Sequence, residues 1–543
     1  MGGIINVKTI SPFDFQGVKA KAGYGEYGQY EGNLGYYKKF NDKFAFSLSA
    51  LYKHYDGFYE NEYTDKPVDE TDVVSARLKL IWKPIDDFTI TYISSAENSE
   101  EGGYPYAIYD SIEKEPLDIN NNQYSSYTRN TASNALEFKY DKENYQIKMT
   151  SSYQMMDDNQ SIDQDFSPDS AYFVVQEQIQ NMVSNEIIAR SKNNKMYNWL
   201  FGAFSFQQRF DRSVDVDIYA QNMVSKKEYD NAITGHALFH ESRLTLGQLT
   251  LTGGLRIDYE KDTYDYNYEL EMGGNIIPRY KTDTTRDDIV VLGKLAANYK
   301  FNGTNIYGLV SMGSKPGGFN SSWDVDHPNH IDFDAESSTN YEIGVKTSLM
   351  NKQLYAEATV YFIDWNDQQI TVTNPSGIGT HLENAGRSFS KGAELTLKTI
   401  PFCGYVTTLT YGYTHAQFKS YVVDDETNYN GNFIPYAPQH TVSVRFSKSY
   451  QLQNTDVLDR IRVSLLYTGN GKTYWNNENT MSQKYYGLFN AKVSFIKDKF
   501  ALNFYRKNVL NTQYVTYAYQ AFGNSYVQLG KPSYFGMSLT YNF

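Results

Sequence analysis

One cysteine, Cys403, is all that the 543 residues contain, which excludes an internal disulfide framework and any multi-thiolate zinc or iron–sulfur site. Basic charge is also in deficit: 50 Lys and Arg stand against 63 Asp and Glu, so nucleic acid is not expected as a partner. No stretch approaches the roughly 18 uninterrupted apolar residues that a spanning helix requires, and mean hydropathy is -0.58. Helical membrane proteins are therefore excluded. The start, "MGGIINVKTISPFDFQG", lacks a basic region followed by an apolar run and a cleavage site, so an exported protein of this sequence is expected to be a processed or truncated chain.

Catalytic signatures are missing as well. HExxH, GxSxG and EF-hand spacings do not occur, and the eight histidines scatter without helical pairing. "GYGEYG" (Gly23 to Gly28) satisfies GxGxxG but sits among alternating Tyr and Ala with no helix after it, so no phosphate rests on a helix N-terminus there. "GNGKT" (469–473) resembles the tail of a P-loop, but its first glycine would fall on Leu466. Nothing nominates a nucleophile, a cofactor or a metal site. The chain is not expected to be an enzyme, with a surface protease or lipase as the minor alternative.

What the chain has in abundance is aromatic residues, 16% in all, with 50 Tyr and 31 Phe. They recur with period two. The chain ends "YFGMSLTYNF", where Phe535, Met537, Leu539, Tyr541 and Phe543 share one face and Gly536, Ser538, Thr540 and Asn542 the other. "FAFSLSALY" from Phe44, "VSARLKLIW" from Val74, "LTLTGGLRIDY" from Leu249 and "LFNAKVSF" from Leu488 repeat the pattern. Short polar turns at 41, 84, 141, 301 and 350 alternate with long polar segments at 55–72, 100–130, 260–285, 319–336 and 422–437. Tight turns at one end and long loops at the other are the wiring of an outer-membrane barrel. Counting from "GVKAKAGYGEYG" gives about 22 strands. The expected fold is an all-β transmembrane antiparallel barrel in the bacterial outer membrane, with lipid outside and an aqueous lumen lined by Arg77, Lys79, Arg256, Asp258 and Lys492.

Longer patterns in register with one another resemble TonB-dependent outer-membrane receptors, in particular the iron–siderophore class. They are "GSKPGGFN" (Gly313 to Asn320), "AESSTNYEIGVKT" (Ala335 to Thr347), "VYFIDWNDQQI" (Val360 to Ile370), "NAGRSFSKGAELTL" (Asn384 to Leu397), "PYAPQHT" (Pro435 to Thr441), "NVLNTQY" (Asn508 to Tyr514) and the final "GKPSYFGMSLTYNF". Ser533 stands where the family often has Arg. "GGIINVKT" (Gly2 to Thr9) resembles the last strand of the family's plug, so residues 1–12 are expected to be the remnant of a plug and 13–543 the barrel. The resemblance implies a receptor that takes up a scarce ligand with the TonB complex pulling on a plug and box, the lumen charges facing that plug. It implies a monomer in lipid and no nucleic acid.

Two loops are candidates for ligand contact: Trp323, Asp324, His327 and His330 in "SSWDVDHPNHIDFD", and Tyr474, Trp475 and Asn476 in "TYWNNENTM". Aromatic faces with a few polar groups suit a flat amphipathic chelate, while the Asp/His spacing fits no standard metal site. A ferric siderophore or similar chelate is the expected ligand. Cobalamin, an oligosaccharide, a plugless passive pore and a soluble adhesive β protein stay open at this stage.

Overall fold

The computed structural model describes residues 6–543 apart from 111, 112, 114, 193–194, 327–329, 375–378, 385, 402, 424–426 and 454–455. Its body is a 22-stranded antiparallel sheet closed on itself. The first strand, Gly17–Gly25, pairs on one side with Gln29–Lys39 and on the other with the last, Tyr534–Asn542, from Lys19↔Asn542 to Gly25↔Gly536. Val18 and Phe543 exchange backbone hydrogen bonds at 3.1 and 2.8 Å to finish the seam. Closure leaves no strand edge facing hydrocarbon, where an unpaired N–H or C=O has nothing to bond.

The strand Leu249–Met272 shows why this sequence makes a membrane wall. Its outward positions are Leu249, Leu251, Gly253, Leu255, Ile257 and Tyr259, then Lys261, Thr263, Asp265, Asn267, Glu269 and Glu271. The apolar set covers ten residue steps, about 26 Å of height at ~3.4 Å per residue and a tilt near 40°, which matches the thickness of an outer-membrane apolar band. Leu255 is 52% and Ile257 44% exposed, while the neighbouring strand presents Ile289 at 70% and Leu295 at 70%. Above Tyr259 the outer face meets water. Leu255→Arg, at the middle of the band, is expected to destabilise the folded barrel by about 2–4 kcal/mol. Lys261→Ala on the same face should change stability by less than about 0.5 kcal/mol. Urea titration of the protein in lipid vesicles reads both.

The segment 260–285, expected as a long loop, is instead a hairpin. Its strands stay paired from Glu260↔Asp288 to Met272↔Asn275 and turn on Gly273 and Gly274, with φ of +58° and +81°. That pair of positive φ values is what a two-residue hairpin turn needs and what glycine supplies without strain. The segment is polar because its outer face stands in water above the band, and its inner face keeps the alternation with Tyr264, Tyr266 and Tyr268. The segments at 55–72, 100–130, 319–336 and 422–437 do carry loops, which span 56–70, 103–125, 316–335 and 421–439 between the barrel strands.

Many of the tyrosines face the lumen and cover glycines of the next strand. Tyr307 lies over Gly344 and Tyr505 over Gly536, each so close that a Cβ on the glycine would fall 2.4 Å from the ring. Residues 6–16 enter the lumen at the turn end of the barrel. Thr9 accepts a hydrogen bond from Lys79 at 3.2 Å, Phe15 packs edge-on to Tyr37 at 5.2 Å, and the Lys83 ammonium sits 4.2 Å over the Phe13 ring.

Candidate functional site

The loop end of the barrel is roofed by segments that fold against one another. Val68, Ala107, Ile119, Ala518 and Val527, from three different loops, form a small buried core with Tyr59, Trp475, Met481 and Val515 packed around it. Its scaffold is a hairpin in the last loop, Val515–Ala521 with Asn524–Leu529, which reaches across to pair Tyr526↔Ile108, Val527↔Ala107 and Gln528↔Tyr106. Tyr59 fixes the hairpin's far end by donating to the Leu529 carbonyl at 2.9 Å. Apolar residues on loops otherwise in water are buried here because the loops bury them in each other.

On this scaffold stands a continuous run of rings. Trp475 lies 5.6 Å from Tyr436, which stacks on Tyr517 at 5.7 Å and 12°. Tyr517 leads to Tyr106 at 6.1 Å, and Tyr106 to Tyr519 and Phe166 at 5.3 and 5.1 Å. Tyr526 closes the run against both Tyr519 and Phe166, at 5.2 and 5.6 Å. Tyr436 (49%) and Tyr517 (37%) are the open faces, whereas Tyr526 and Phe166 are buried. Composition pointed to aromatic loops, but Tyr106, Tyr436, Tyr517 and Tyr519 were not singled out as ligand contacts by sequence; the alternating aromatics of "YVTYAYQAF" are a signal for Tyr517 and Tyr519, and Tyr106 and Tyr436 lie outside that stretch.

The sequence-nominated residues fall in two places. Tyr474 stacks on Phe433 at 5.5 Å and accepts from Lys472 at 2.7 Å. Trp475 belongs to the ring run, half-buried. Asn476 holds its own turn, its Oδ1 accepting from the backbone of Thr480 and Met481 at 3.1 and 3.0 Å. Trp323 is 3% exposed and packs edge-on to Tyr280 at 4.9 Å and near Tyr266 at 5.8 Å, anchoring its loop to the tall tyrosine wall. Asp324 accepts from the backbone of Asp326 at 3.1 Å. His330 stacks on His381 at 4.3 Å and 10°, and His327 lies outside the described residues. The two groups of residues are not brought together.

Arg286 clamps the Trp323 loop. It donates to the carbonyls of Gly318 and Phe333 and pairs with Asp288, Asp332 and Asp334 at 3.1, 3.7 and 3.6 Å. Asn320, 4% exposed, ties that loop to the next, donating to the Leu382 carbonyl at 2.8 Å and accepting from its N–H at 2.7 Å. Burial, reinforced by the His330 ring, holds His381 below the usual histidine range. Among the described residues no group of three or more His, Cys, Asp or Glu could hold a metal ion.

Below the loops, the register places Arg77, Lys79, Arg256, Asp258 and Lys492 on the inward face of their strands. Arg256 and Asp258 pair with each other at 2.7 Å.

One loop contact is set to respond to pH. Asp163, wholly buried as the last residue of the strand Tyr145–Asp163, accepts from the Gln123 N–H at 3.1 Å and joins the 103–125 loop to its neighbour. Burial, only partly offset by that hydrogen bond, pushes its carboxyl up to about 6. A carboxyl raised above its unfolded value of 3.8 stabilises the contact fully below that value, and the gain is lost as pH rises through about 6. Limited proteolysis should therefore cut the 103–125 loop several-fold faster at neutral pH than below pH 5, and Asp163→Asn should stay resistant at both.

A family model described as TonB dependent receptor-like, beta-barrel, matches residues 94–511. Among solved structures, the ferric yersiniabactin uptake receptor FyuA from Yersinia pestis is similar with a TM-score of 0.83 at 19% identity, over 97% of this chain and 80% of that one. The siderophore receptor PiuA from Acinetobacter baumannii gives 0.79 at 13%, covering 97% and 81%. The closed form of the ferric-catecholate import receptor Fiu from E. coli K12 gives 0.76 at 14%, covering 98% and 82%. At these identities the likeness is one of fold.

Proposed function

From the premise that this chain belongs to the TonB-dependent receptor β-barrel family of the Gram-negative outer membrane, we propose that it takes up a ferric siderophore or a similar metal chelate captured by its loops. Receptors of this family are transporters rather than enzymes, and they work with the TonB complex. The observation that carries the ligand reading is the run from Trp475 through Tyr436 and Tyr517 to Tyr106, with two ring faces open to solvent. Flat apolar faces edged by hydroxyls suit the rim of a chelate whose metal is already enclosed by its own ligands. Residues 1–12 we assign to the end of a plug; the entry of residues 6–16 into the lumen supports this, since a plug must pass its chain to the first barrel strand there. We read Tyr474 and Asn476 as supports beside the ring run, and Trp323 and His330 as anchors of a separate loop.

The test is a fluorescence titration of the purified chain with ferric catecholate, ferric hydroxamate, cyanocobalamin and a malto-oligosaccharide. Saturable quenching by one ferric chelate, most of it lost in Trp475→Phe, is expected. Saturation by cyanocobalamin or the oligosaccharide alone would remove the iron assignment.

A further inference from the structure

The inner face of the barrel is divided by charge. Nine contiguous strands, from His440–Gln451 through the seam to Thr71–Ile85, carry eleven Lys and Arg at inward ladder positions and a single carboxylate, Glu31. Glu31 is bound to Lys21 at 2.6 Å. At mid-height Arg445, Arg462 and Lys492 stand on one side of the seam and Lys21, Arg77 and Lys79 on the other. Lys492 lies within electrostatic reach of Lys507 and Arg462 on the adjoining strands and of Lys21 across the seam. Between them are hydroxyls and amides such as Ser49, Ser443, Ser464, Asn503, Ser538 and Thr540.

The remaining wall is built differently. There, inward cations find inward carboxylates: Arg256 with Asp258 at 2.7 Å, Lys346 with Glu357 at 2.6 Å, Lys148 with Glu137 at 2.9 Å and Lys294 with Glu241 at 3.2 Å. One side of the lumen is neutralised by its own residues and the other is not. Like charges lining a low-dielectric cleft raise the local concentration of the opposite ion. Part of the aromatic roof, Trp475 with Tyr517, Tyr519 and Tyr526, rises from this same sector, because the 471–485 and 508–533 loops join strands of the basic wall.

We infer that the basic wall is an anion lane, and that the cargo received by the aromatic roof is a multiply anionic, ring-bearing metal chelate. The inference rests on the proposed uptake of a metal chelate and adds its charge and route. An acidic polypeptide is the other occupant with the right charge. The wall favours a small solute, since it is hydroxylic and amidic between its cations, whereas a protein contact of any stability has an apolar centre. Where residues 6–16 touch this wall, Phe13 lies on Lys83, Phe15 on Lys19 and the Thr9 hydroxyl on Lys79, and Asp14 is the one carboxylate that the segment brings within electrostatic reach of it.

The experiment uses the full chain in a planar bilayer under a roughly tenfold KCl gradient, with the reversal potential giving the preference between chloride and potassium. An anion preference of at least about threefold is expected, falling to none in the Arg445→Gln, Arg462→Gln, Lys492→Gln triple variant. Folding of the variant is checked by heat-modifiable mobility. If the roof keeps the lumen closed to current, the same chain in detergent is titrated with pyrene tetrasulfonate and with a tetracationic porphyrin. Tetrasulfonate binding that weakens with salt and drops about tenfold in the triple variant supports the lane. Cation preference, indifference to the triple variant, or tight binding of poly-glutamate with tetrasulfonate refused would overturn it. An anion-preferring lumen in a chain that binds no ferric chelate would leave the lane standing and remove the ligand reading alone; the converse would remove the lane alone.

Discussion

A chain ending at Ser533, without the last strand, should yield no heat-modifiable folded species in detergent or lipid, whereas the full chain does. The lost strand makes seven register pairs with Gly17–Gly25 and eight with Phe500–Lys507. Without it both neighbours become edges inside hydrocarbon, and every ladder N–H and C=O that faced it loses its partner at several kcal/mol apiece. No plausible gain offsets that, so the effect is all or none rather than a shift in midpoint. Replacing only the outward aromatics Phe535 and Tyr541 by Ala, which keeps the backbone pairing, should instead leave a folded barrel with lowered stability. A folded, inserted product from the shortened chain would show that Gly17–Gly25 can close on Phe500–Lys507 directly.

The second large effect falls on the roof. Replacing residues 515–529 with a short Gly-Ser turn is expected to reduce chelate affinity by at least about a hundredfold while leaving barrel stability almost unchanged. The hairpin supplies Ala518 and Val527 to the loop core and Tyr517, Tyr519 and Tyr526 to the ring run, so its removal takes both the proposed binding faces and their support. The barrel strands on either side, Phe500–Lys507 and Tyr534–Asn542, pair with each other below the loop and do not depend on it. Single Tyr436→Ala and Tyr517→Ala changes should each cost about tenfold, the size of one exposed aromatic contact of 1–2 kcal/mol. Fluorescence titration measures the affinity and thermal unfolding in detergent measures the barrel. Retained affinity after hairpin removal would place the ligand elsewhere, the tall wall around Trp323 being the next surface to examine.

These effects indicate which parts of the molecule could be read from the sequence. Alternation such as Phe535, Met537, Leu539 against Gly536, Ser538, Thr540 needs only local spacing, and lipid outside with water inside enforces it residue by residue, so the barrel and its strand number were legible. The height of the wall was not. In 260–285 an outward Lys261 and Asp265 look like loop residues because water on the outer face removes the apolar half of the alternation, and only Tyr264, Tyr266 and Tyr268 preserve the period. The roof was legible as a set of ingredients. Trp475 and Tyr474 stood out by type, but Val527 and Ala107 meet only because a hairpin from the last loop pairs with a segment about four hundred residues earlier, information that no local window contains. Trp323 had the composition of a ligand contact, and its place against Tyr280 depends on a hairpin that was itself read as loop. The charge division of the lumen is a property of register as well. Arg77, Lys79 and Lys492 could be named individually, but that they share one wall while Arg256 and Asp258 neutralise each other on the opposite one follows from strand order around the ring.

In the proposed orientation the tight turns face the periplasm, and the aromatic roof and tall hairpin face the exterior. Cys403, exposed in the turn between Thr399 and Tyr405, gives a native probe of one end. Ile276, 61% exposed beside the Gly273–Gly274 turn, gives an engineered probe of the other. Labelling of cells with a membrane-impermeant maleimide should leave wild-type Cys403 unmodified until the outer membrane is permeabilised, while Ile276→Cys in a Cys403→Ser background is modified in intact cells. Modification of Cys403 in intact cells at the permeabilised rate would contradict the account.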